Sequence, residues 1–415
     1  MTSLRARLLG EACGFRHGIV PPVLDVEGTF ADVDGVFNAC IVGDTGSLRE
    51  SSSGGFARTK EAAHAACVAE ALERYSASLT RLPLRAESEL DGARVLRLSD
   101  FALFDGEQQR MPGFPWPAPD PRAVRYAPVY SLADNTEAWA PEPLVGLGGR
   151  TDPPLVPSTS TGLAAHDNPC AALLSAVEEL LERDALTVTW LNSLGGRELI
   201  LPDAYTARVR ARGGQVRAFD LTQVWNPHPV VVVCGQLPLR GRRRFALGAA
   251  CRPAHALAIE KAWLEWLQGT VFAGYYCNEH PALAFRHPSE VRDFSQHGAY
   301  YTLCPAEWDP LPLFTRARAP RALPPSPTPG PAPLALERLM CALDDAGVRV
   351  FYRDLTLPDV AGVGLVVARA LSPELSLLHG DERAPFLGGR TRDVRWRYPD
   401  LEPGPFPNPQ PHPLG

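Results

Sequence analysis

A short polar segment followed by an alanine-rich stretch occurs twice in this chain and constrains its fold more than any other feature. The first copy, residues 51–76, reads SSSGGFARTKEAAHAACVAEALERYS, and the second, residues 160–184, reads STGLAAHDNPCAALLSAVEELLERD. Alanine and leucine favour helix, whereas the serines and glycines before them predict a loop. The second copy follows the first by 109 residues. The sequence therefore predicts an internal duplication of one loop–helix unit, at about 51–79 and about 158–193.

Each predicted helix carries the spacing Glu-x-x-Glu-Arg. The residues concerned are Glu70, Glu73 and Arg74 in the first copy and Glu179, Glu182 and Arg183 in the second. Positions i, i+3 and i+4 are neighbours on a helix surface, so each copy gathers two carboxylates and one guanidinium on one face. A single such face is typical of a solvated helix. Because carboxylates suit Mg²⁺ and arginine suits phosphate, two copies behind glycine-containing loops favour a nucleotide site.

Composition excludes several classes of protein. The 415 residues suffice for two or three domain-sized units, and their 45% hydrophobic and 21% charged content is typical of globular proteins. A net charge of −6 gives no basic field, so we expect no nucleic-acid partner. Nine scattered cysteines without C-x-x-C indicate thiols in a reducing cytoplasm. The first 18 residues lack the apolar core of a signal peptide and no long apolar run follows, so we expect no membrane association.

Strand and helix patterns alternate along the rest of the chain. The valine-rich run Val230–Leu239 and residues 245–250 predict a β-hairpin. Residues 253–272 predict a third alanine-rich helix and 334–347 an amphipathic one, while prolines mark a loop at 316–333 and a tail at 403–415. This mixture predicts an α+β fold, a mixed α/β sandwich with antiparallel strand pairs.

These motifs together resemble those of the YcaO family. Residues 160–191 are similar to the central motif of that family, residues 51–76 to its first nucleotide motif, and residues 247–268 (LGAACRPAHALAIEKAWLEWLQ) to its third. The similarity runs from about residue 15 to the end of the chain. It implies one duplicated YcaO-type domain over residues 1–415, which binds ATP and Mg²⁺ between helices and acts on peptide backbone amides.

The resemblance also assigns roles to residues of this chain, position by position. It implies that the four carboxylates of the repeated helices hold Mg²⁺, directly or through water, namely Glu70, Glu73, Glu179 and Glu182. It implies further contacts to the nucleotide from eight residues, two of which are the motif arginines. These residues are Ser53, Gly55, Arg74, Ser160, Ser175, Arg183, Glu265 and Gln268. Taken without the resemblance, Glu265 and Gln268 indicate only a decorated helix surface.

The chain departs from the family pattern at a few positions. Ala66 stands where the first motif usually begins with serine, and Ala171 stands where the second helix often has another glutamate. The first loop has Gly55-Phe56-Ala57 where the family often has Gly-Lys-Gly. These departures favour an alternative hypothesis, a non-catalytic YcaO-like subunit that scaffolds a biosynthetic complex, which the retained Glu-x-x-Glu-Arg motifs oppose.

The proline-rich tail resembles the P-x-P-x-P ending of the azoline-forming YcaO enzymes. Composition alone allows a disordered tail as well as an extended one. The resemblance implies that the tail reaches the active site, where the Gly415 carboxylate helps to move protons. It therefore implies catalytic roles for Pro409, Pro411, Pro413 and Gly415.

The reaction implied by the resemblance is cyclodehydration of Cys, Ser or Thr in a ribosomally made precursor peptide, as in bacteriocin biosynthesis. The side chain attacks the preceding backbone carbonyl, ATP phosphorylates the resulting oxygen, and loss of phosphate leaves a thiazoline or oxazoline. Implied partners are the precursor peptide, a ThiF-like protein that binds its leader, a flavin dehydrogenase and a second copy of the chain as a homodimer. Formation of a thioamide or an amidine by the same ATP chemistry is the close alternative.

Overall fold

The computed structural model describes residues 8–14, 16, 18–26, 37–43, 51–148, 154–239, 241–325 and 328–415. It separates into two compact units. The first unit comprises Met1–Phe101, Trp116–Leu180 and Pro331–Glu374, and the second comprises Ala102–Pro115, Leu181–Gly330 and Leu375–Gly415. Part of the segment behind the signal-peptide expectation, residues 1–7, 15 and 17, lies outside the described residues. In the described ranges no helix has the length and apolar character needed to cross a bilayer.

Strands and helices are numbered here in chain order. The strands are β1 Leu24–Asp25, β2 Phe37–Gly43, β3 Ser51–Ala57, β4 Tyr126–Ser131, β5 Glu137–Pro141, β6 Leu163–His166, β7 Arg197–Leu199, β8 Gln215–Asp220, β9 Val230–Leu239, β10 Arg242–Cys251, β11 Arg318–Arg321, β12 Phe351–Asp354 and β13 Val366–Leu371. The α-helices are α1 Lys60–Leu79, α2 Gly106–Arg110, α3 Glu142–Val145, α4 Pro169–Leu191, α5 Asp203–Ala211, α6 His255–Glu279, α7 Phe294–Leu303, α8 Pro312–Thr315, α9 Ala332–Asp345, α10 Pro358–Gly362 and α11 Val394–Arg397.

The first unit contains two antiparallel sheets and the first motif helix. One sheet has the strand order β1-β2-β3, and the other has the order β5-β4-β12-β13-β6. Thr59 caps α1, because its hydroxyl accepts the Ala62 N–H at 3.3 Å. Near the other end of α1, the buried Ser76 hydroxyl donates to the Leu355 carbonyl at 2.7 Å and so fixes the helix to the segment after β12.

The second unit is built on a five-stranded sheet in the order β10-β9-β8-β7-β11. The predicted hairpin is confirmed: β9 pairs antiparallel with β10 along ten residues, and Gly241 takes the positive φ of +75° that the turn requires. Helix α6 lies directly against β10. A Cβ on Gly248 would lie 2.2 Å from the Ala262 carbonyl oxygen, so only glycine allows this approach.

The predicted mixture of helices and antiparallel strands is confirmed, with three differences in detail. The polar segments before the motif helices are not loops throughout, since β3 and β6 occupy part of them. Backbone pairing across a sheet outweighed the low strand propensity of serine and glycine there. Helix α6 continues to Glu279, and Arg318–Arg321, inside the predicted proline-rich loop, forms a strand parallel to β7.

Candidate functional site

In the first unit, Glu70 holds the start of the motif helix to the strand before it. One oxygen of its carboxylate accepts the Gly54 backbone N–H at 2.8 Å, and the other pairs with the Arg74 guanidinium one turn along α1. Both side chains remain about 30% exposed. The face of α1 predicted from the spacing therefore exists, with one carboxylate already engaged by the strand and by its own arginine.

Glu73, on the same face, is a carboxyl group strongly perturbed by its surroundings. Its pKa is raised to about 8, chiefly because protein atoms around it exclude water, and further because Glu179 and Glu70 repel its negative charge. Arg74 opposes this shift without cancelling it. Three carboxylates of the repeated motifs thus lie close enough in the first unit to affect one another's ionisation.

Replacing Glu73 with glutamine is expected to change how stability depends on pH. Between pH values of about 4.5 and about 8 the folded protein keeps a proton on Glu73 that the unfolded chain has released, so this group makes the free energy of unfolding fall as pH rises. The variant should lose that slope, which corresponds to at most one proton. Urea unfolding at pH 5.5, 7 and 8.5, without nucleotide or Mg²⁺, measures it. The exposed Glu61 on the same helix gives the control Glu61→Gln, and equal slopes in all three proteins would contradict the assignment.

A bond from a backbone N–H, in a strand or just before it, to a motif glutamate recurs at all three helices assigned to nucleotide motifs. The donor and acceptor residues are Gly54 and Glu70, Gly162 and Glu179, and Ala249 and Glu265, at 2.8, 3.3 and 3.3 Å. The first two pairs lie in the first unit and the third lies in the second unit. In each pair the carboxylate satisfies a backbone donor and fixes the helix against the strand before it. Glu265 is therefore more than a decorated surface residue.

Arg369, on β13, is a site residue that sequence reasoning missed. Its side chain is fully buried and donates to the carbonyl oxygens of Leu144, Thr159 and Thr161 at 2.8 to 3.0 Å. Burial lowers its pKa to about 10, while the negative charges of Glu179 and Glu73 raise it. Arg369 thus stays protonated at neutral pH and holds the segment before β6 in place. The available signal was a lone arginine inside the apolar strand VVARAL.

In the second unit, the end of the second motif is buried. The Glu182 side chain is only 7% exposed, and its carboxylate lies 3.4 Å from Nε of Arg183. The next residue, Asp184, forms a fully buried ion pair with Arg397 of α11, with N–O distances of 2.6 and 2.8 Å. Asp184 also accepts the Ser376 backbone N–H at 2.7 Å. This pair fixes the second half of α4 to the last part of the chain.

The remaining residues predicted to contact the nucleotide are buried or half-buried. Ser53 is buried in β3, and its hydroxyl has no hydrogen-bond partner among the described residues. Gly55, in β3, packs tightly against helix α1, since a Cβ on Gly55 would stand 1.9 Å from the Ala63 carbonyl oxygen. Ser160 before β6, Ser175 one turn before Glu179, and Gln268 one turn after Glu265 are half-buried.

The proline-rich tail has a fixed position in the second unit, which excludes the disordered alternative. Pro411, Pro413 and Leu414 are buried, whereas Pro409 and Gly415 are exposed. Because proline has no N–H, the tail is held mainly through its carbonyl oxygens. The donors are Trp190 Nε1 to Gln410 at 2.6 Å, the Tyr301 hydroxyl to Pro411 at 2.6 Å, and His297 Nδ1 to His412 at 2.8 Å. Trp190 lies on α4, so the second motif helix contacts the tail directly.

The carboxylates described above have the chemistry that a Mg²⁺–nucleotide complex requires. In the described part of the chain no three His, Cys, Asp or Glu side chains converge as a complete metal site. Mg²⁺ in nucleotide sites is usually held by one or two carboxylates together with phosphates, so a complete protein cage is not needed. A cation would also relieve the repulsion that raises the pKa of Glu73.

Several solved structures have a similar fold. A heterocyclase in complex with substrate and cofactor is 19% identical with a TM-score of 0.71, over 98% of this chain and 57% of that protein. This chain thus spans less than two thirds of the heterocyclase. YcaO from Methanopyrus kandleri, bound with AMPPCP and Mg²⁺, is 17% identical with a TM-score of 0.65, over 94% and 91% of the chains. A chain of the E. coli microcin synthetase McbBCD complex is 13% identical with a TM-score of 0.62, over 86% and 88%.

The sequence gives the more specific result. No protein with a curated description matches it. Residues 54–376, which are well over half of the chain, match the family model described as YcaO cyclodehydratase, ATP- and Mg²⁺-binding. The matched residues include all three motif helices and Arg369. The protein therefore belongs to the YcaO family, and ATP and Mg²⁺ are its cofactors.

Proposed function

We propose that this protein catalyses ATP-dependent cyclodehydration of Cys, Ser or Thr residues in a ribosomally made precursor peptide. Within the family, the observation that favours this reaction is the docked tail with Pro409, Pro411 and Pro413. Trp190, two turns after Glu182 on α4, donates to the tail and so joins it to the second motif helix. The extended proline segment costs little conformational entropy to fix in this place.

The reaction joins the side-chain sulfur or oxygen of the substrate to the preceding carbonyl carbon and removes the amide oxygen. ATP, when bound, supplies the phosphoryl group that makes this oxygen a good leaving group, and Mg²⁺ neutralises phosphate charge. The peptide loses one water per ring, and ATP becomes ADP and phosphate. The chain has mainly to position these groups and to balance their charge.

We assign the motif carboxylates to the metal and the motif arginines to phosphates. A cation beside Glu73 and Glu179 would stabilise the ionised form of Glu73 and offset the repulsion from Glu179, and the buried Glu182 offers a third carboxylate. Arg74 and Arg183 are held next to carboxylates of their own helices and can turn towards a phosphate. Ser53, Gly55, Ser160, Ser175, Glu265 and Gln268 complete the proposed nucleotide contacts. Gly415 and the tail prolines would assist proton movement at the substrate amide.

The experiment that tests this function uses a precursor peptide encoded beside the gene. The peptide is incubated with the protein, a ThiF-like leader-binding partner, Mg²⁺ and ATP, and mass spectrometry is combined with a phosphate assay. We expect the peptide to lose the mass of one water per ring, with one phosphate released for each ring and no loss without ATP. Tandem spectra and a thiol-alkylation step separate a ring from a dehydrated side chain.

Two other outcomes would overturn the proposal in different ways. A mass gain equal to the exchange of oxygen for sulfur would identify a thioamide-forming enzyme. No change in the peptide, together with no binding of Mg²⁺–ATP, would identify a scaffold subunit, which Ala66, Ala171 and the absent loop lysine favour. The docked tail argues for the azoline reaction over both.

We also propose the setting in which the protein works. A leader-binding ThiF-like protein, a flavin dehydrogenase and a second copy of this chain are the partners to test by co-purification. All nine cysteines are free thiols. Because such thiols persist in a reducing compartment, we infer a cytoplasmic location.

A further inference from the structure

Three histidines and a glutamate form a buried cluster around the tail in the second unit. His297 lies on α7, His412 lies in the tail, and His379 and Glu382 lie in the segment between β13 and α11; the three histidines are 0 to 2% exposed. The rings of His297 and His412 stack with centroids 3.8 Å apart and planes 8° apart, and the His379 ring stands edge-on at 5.2 Å from His412. The proposed function gives this cluster no role.

Hydrogen bonds define the protonation of each ring. His297 Nδ1 donates to the His412 carbonyl at 2.8 Å, His412 Nε2 donates to the His379 carbonyl at 2.7 Å, and His379 Nε2 donates to Glu382 at 3.3 Å. Nδ1 of His379 and Nδ1 of His412 have no hydrogen-bond partner within the part of the chain that the structure describes, and Nε2 of His297 lies 3.7 Å from the Glu382 carboxylate. Since carbonyl and carboxylate oxygens accept, each bonded nitrogen carries a proton, and in the neutral rings the opposite nitrogens are bare. The bare nitrogens do not converge on a metal position among these described residues.

Burial favours neutral rings at His297 and His412, whereas the neighbouring Glu382 acts against it. Burial lowers the pKa of His297 to about 4, although Glu382 acts in the opposite direction. Burial also lowers the pKa of His412 well below its usual value, and His297, His379 and Arg183 lower it further. Burial and the negative charge of Asp381 each raise the pKa of Glu382. His379 and His297 lower it by more, so the net effect is a pKa below the usual value. The Tyr301 hydroxyl is a further titratable group beside the cluster, and it donates to the Pro411 carbonyl of the tail.

We propose that His297, His379 and Glu382 are positioning residues which hold His412, and with it the catalytic tail, only while the stacked rings of His297 and His412 are neutral. The inference rests on the proposed function for the tail's part in cyclodehydration. The docking itself is a separate physical claim. Two stacked imidazolium rings 3.8 Å apart would repel each other, and a protonated ring would carry its charge into a fully buried position.

Acidification should therefore release the tail. Below a pH of about 6.5 the imidazoles of a free tail and an opened site take up protons, whereas the docked His297 ring does not until the pH approaches about 4. Docking is stabilised while the free histidines are neutral, and this stabilisation is lost as pH falls. For each imidazole that takes up a proton on release, the docking equilibrium should fall by about tenfold per pH unit.

Two measurements on the whole protein test this inference. Histidine labelled with ¹³C at Cε1 gives NMR titration curves for the ten histidines, and hydrogen exchange followed by mass spectrometry, corrected for intrinsic rates, reports protection of the tail amides. We expect the ¹³Cε1 shifts of His297 and His412 to be those of neutral imidazole at pH 6.5. At lower pH both shifts should change together, over the same pH range in which the tail amides lose protection. The exposed His280 should titrate independently. A His412 signal that titrates near pH 6.5 with the tail still protected would overturn the proposal.

Two variants separate titration from simple packing. His412→Gln keeps a donor at the Nε2 position, and His297→Asn keeps a donor at the Nδ1 position, but neither side chain titrates. Between pH 7.5 and 5.5 the wild type and the control His280→Gln should lose about a hundredfold in tail protection, because two imidazoles take up protons on release. Each variant keeps only one of the two and should lose about tenfold. An equal loss of tail protection on acidification in all four proteins would contradict the proposal that these histidines hold the tail. If either variant is undocked at every pH, the other decides.

Activity distinguishes failure of this inference from failure of the proposed function. With a modified peptide in hand, kcat of the wild type should fall on acidification with KM for ATP unchanged, and His412→Gln should flatten the kcat profile. If the protein dehydrates peptide but tail protection does not change with pH, the inference about the histidines is refuted and the proposed function is retained. A tail that is released by acid in a protein that never dehydrates peptide would refute the proposed function alone.

Discussion

Replacing Glu182 with glutamine is expected to lower the rate of peptide dehydration by about 100-fold or more, the usual cost of removing one preorganised charge-stabilising group. The carboxylate is 7% exposed and lies 3.4 Å from Arg183, so its charge acts in a poorly hydrated place. Glutamine preserves the shape of the side chain but removes the negative charge that the proposed role at the metal requires. Initial rates of phosphate release and of peptide mass loss, measured over a range of Mg²⁺ concentrations, give the effect.

The control for this prediction is Glu279→Gln, which changes an exposed glutamate at the end of α6. It should leave both rates within about twofold, since surface charges away from a site contribute little. Thermal unfolding of Glu182→Gln, compared with wild type, shows whether the variant is folded. A folded Glu182→Gln protein with wild-type rates at all Mg²⁺ concentrations would remove this residue from the proposed site.

The second large effect is on stability, and it concerns the ion pair between Asp184 and Arg397. Asp184→Ala leaves the guanidinium of Arg397, whose side chain is fully buried, without its counter-charge. Breaking a buried pair from one side typically costs about 3–5 kcal/mol, because the remaining charge stays in a poorly polar environment. The backbone N–H of Ser376 also loses its acceptor, and the side-chain amide of Gln223 loses one of two. The free energy of unfolding in urea, read by circular dichroism, measures the loss.

An exposed ion pair in the same unit provides the comparison. Arg395 and Glu402 lie 3.1 Å apart with both side chains about three-quarters exposed. Glu402→Gln should cost less than about 1 kcal/mol, because solvent screens such a pair. If Asp184→Ala destabilised the protein no more than Glu402→Gln does, the buried pair would have no special part in holding α4 to the end of the chain.

The motif helices were predictable because their signals are local. Alanine and leucine content defined α1 and α4, and the i, i+3, i+4 spacing placed Glu70, Glu73 and Arg74 on one face before any tertiary contact was known. The hairpin of β9 and β10 was equally local, since a valine run and a nearby apolar run meet across one short turn. In these elements the preference of a few neighbouring residues and the final fold agree.

The strands next to those helices were not predictable from their own residues. Serine and glycine in β3 have low strand propensity, and the pairing with β2 that overrides it comes from a partner segment. The strand Arg318–Arg321 lies in a proline-rich stretch and exists because β7 offers a parallel edge. Pairing energy from another part of the chain is invisible to a window of local sequence.

Local spacing along the chain was enough to show which carboxylates and arginines share a helix face, and motif similarity extended this to the family and its cofactors. Tertiary structure alone decided the surroundings that set their chemistry. It brought Glu179 near enough to Glu73 to raise the pKa of Glu73, and it placed Arg369 beside both. It also enclosed His412 against His297. Ionisation depends on burial and on charges within a few ångströms, and residues more than a hundred positions apart in sequence supply both.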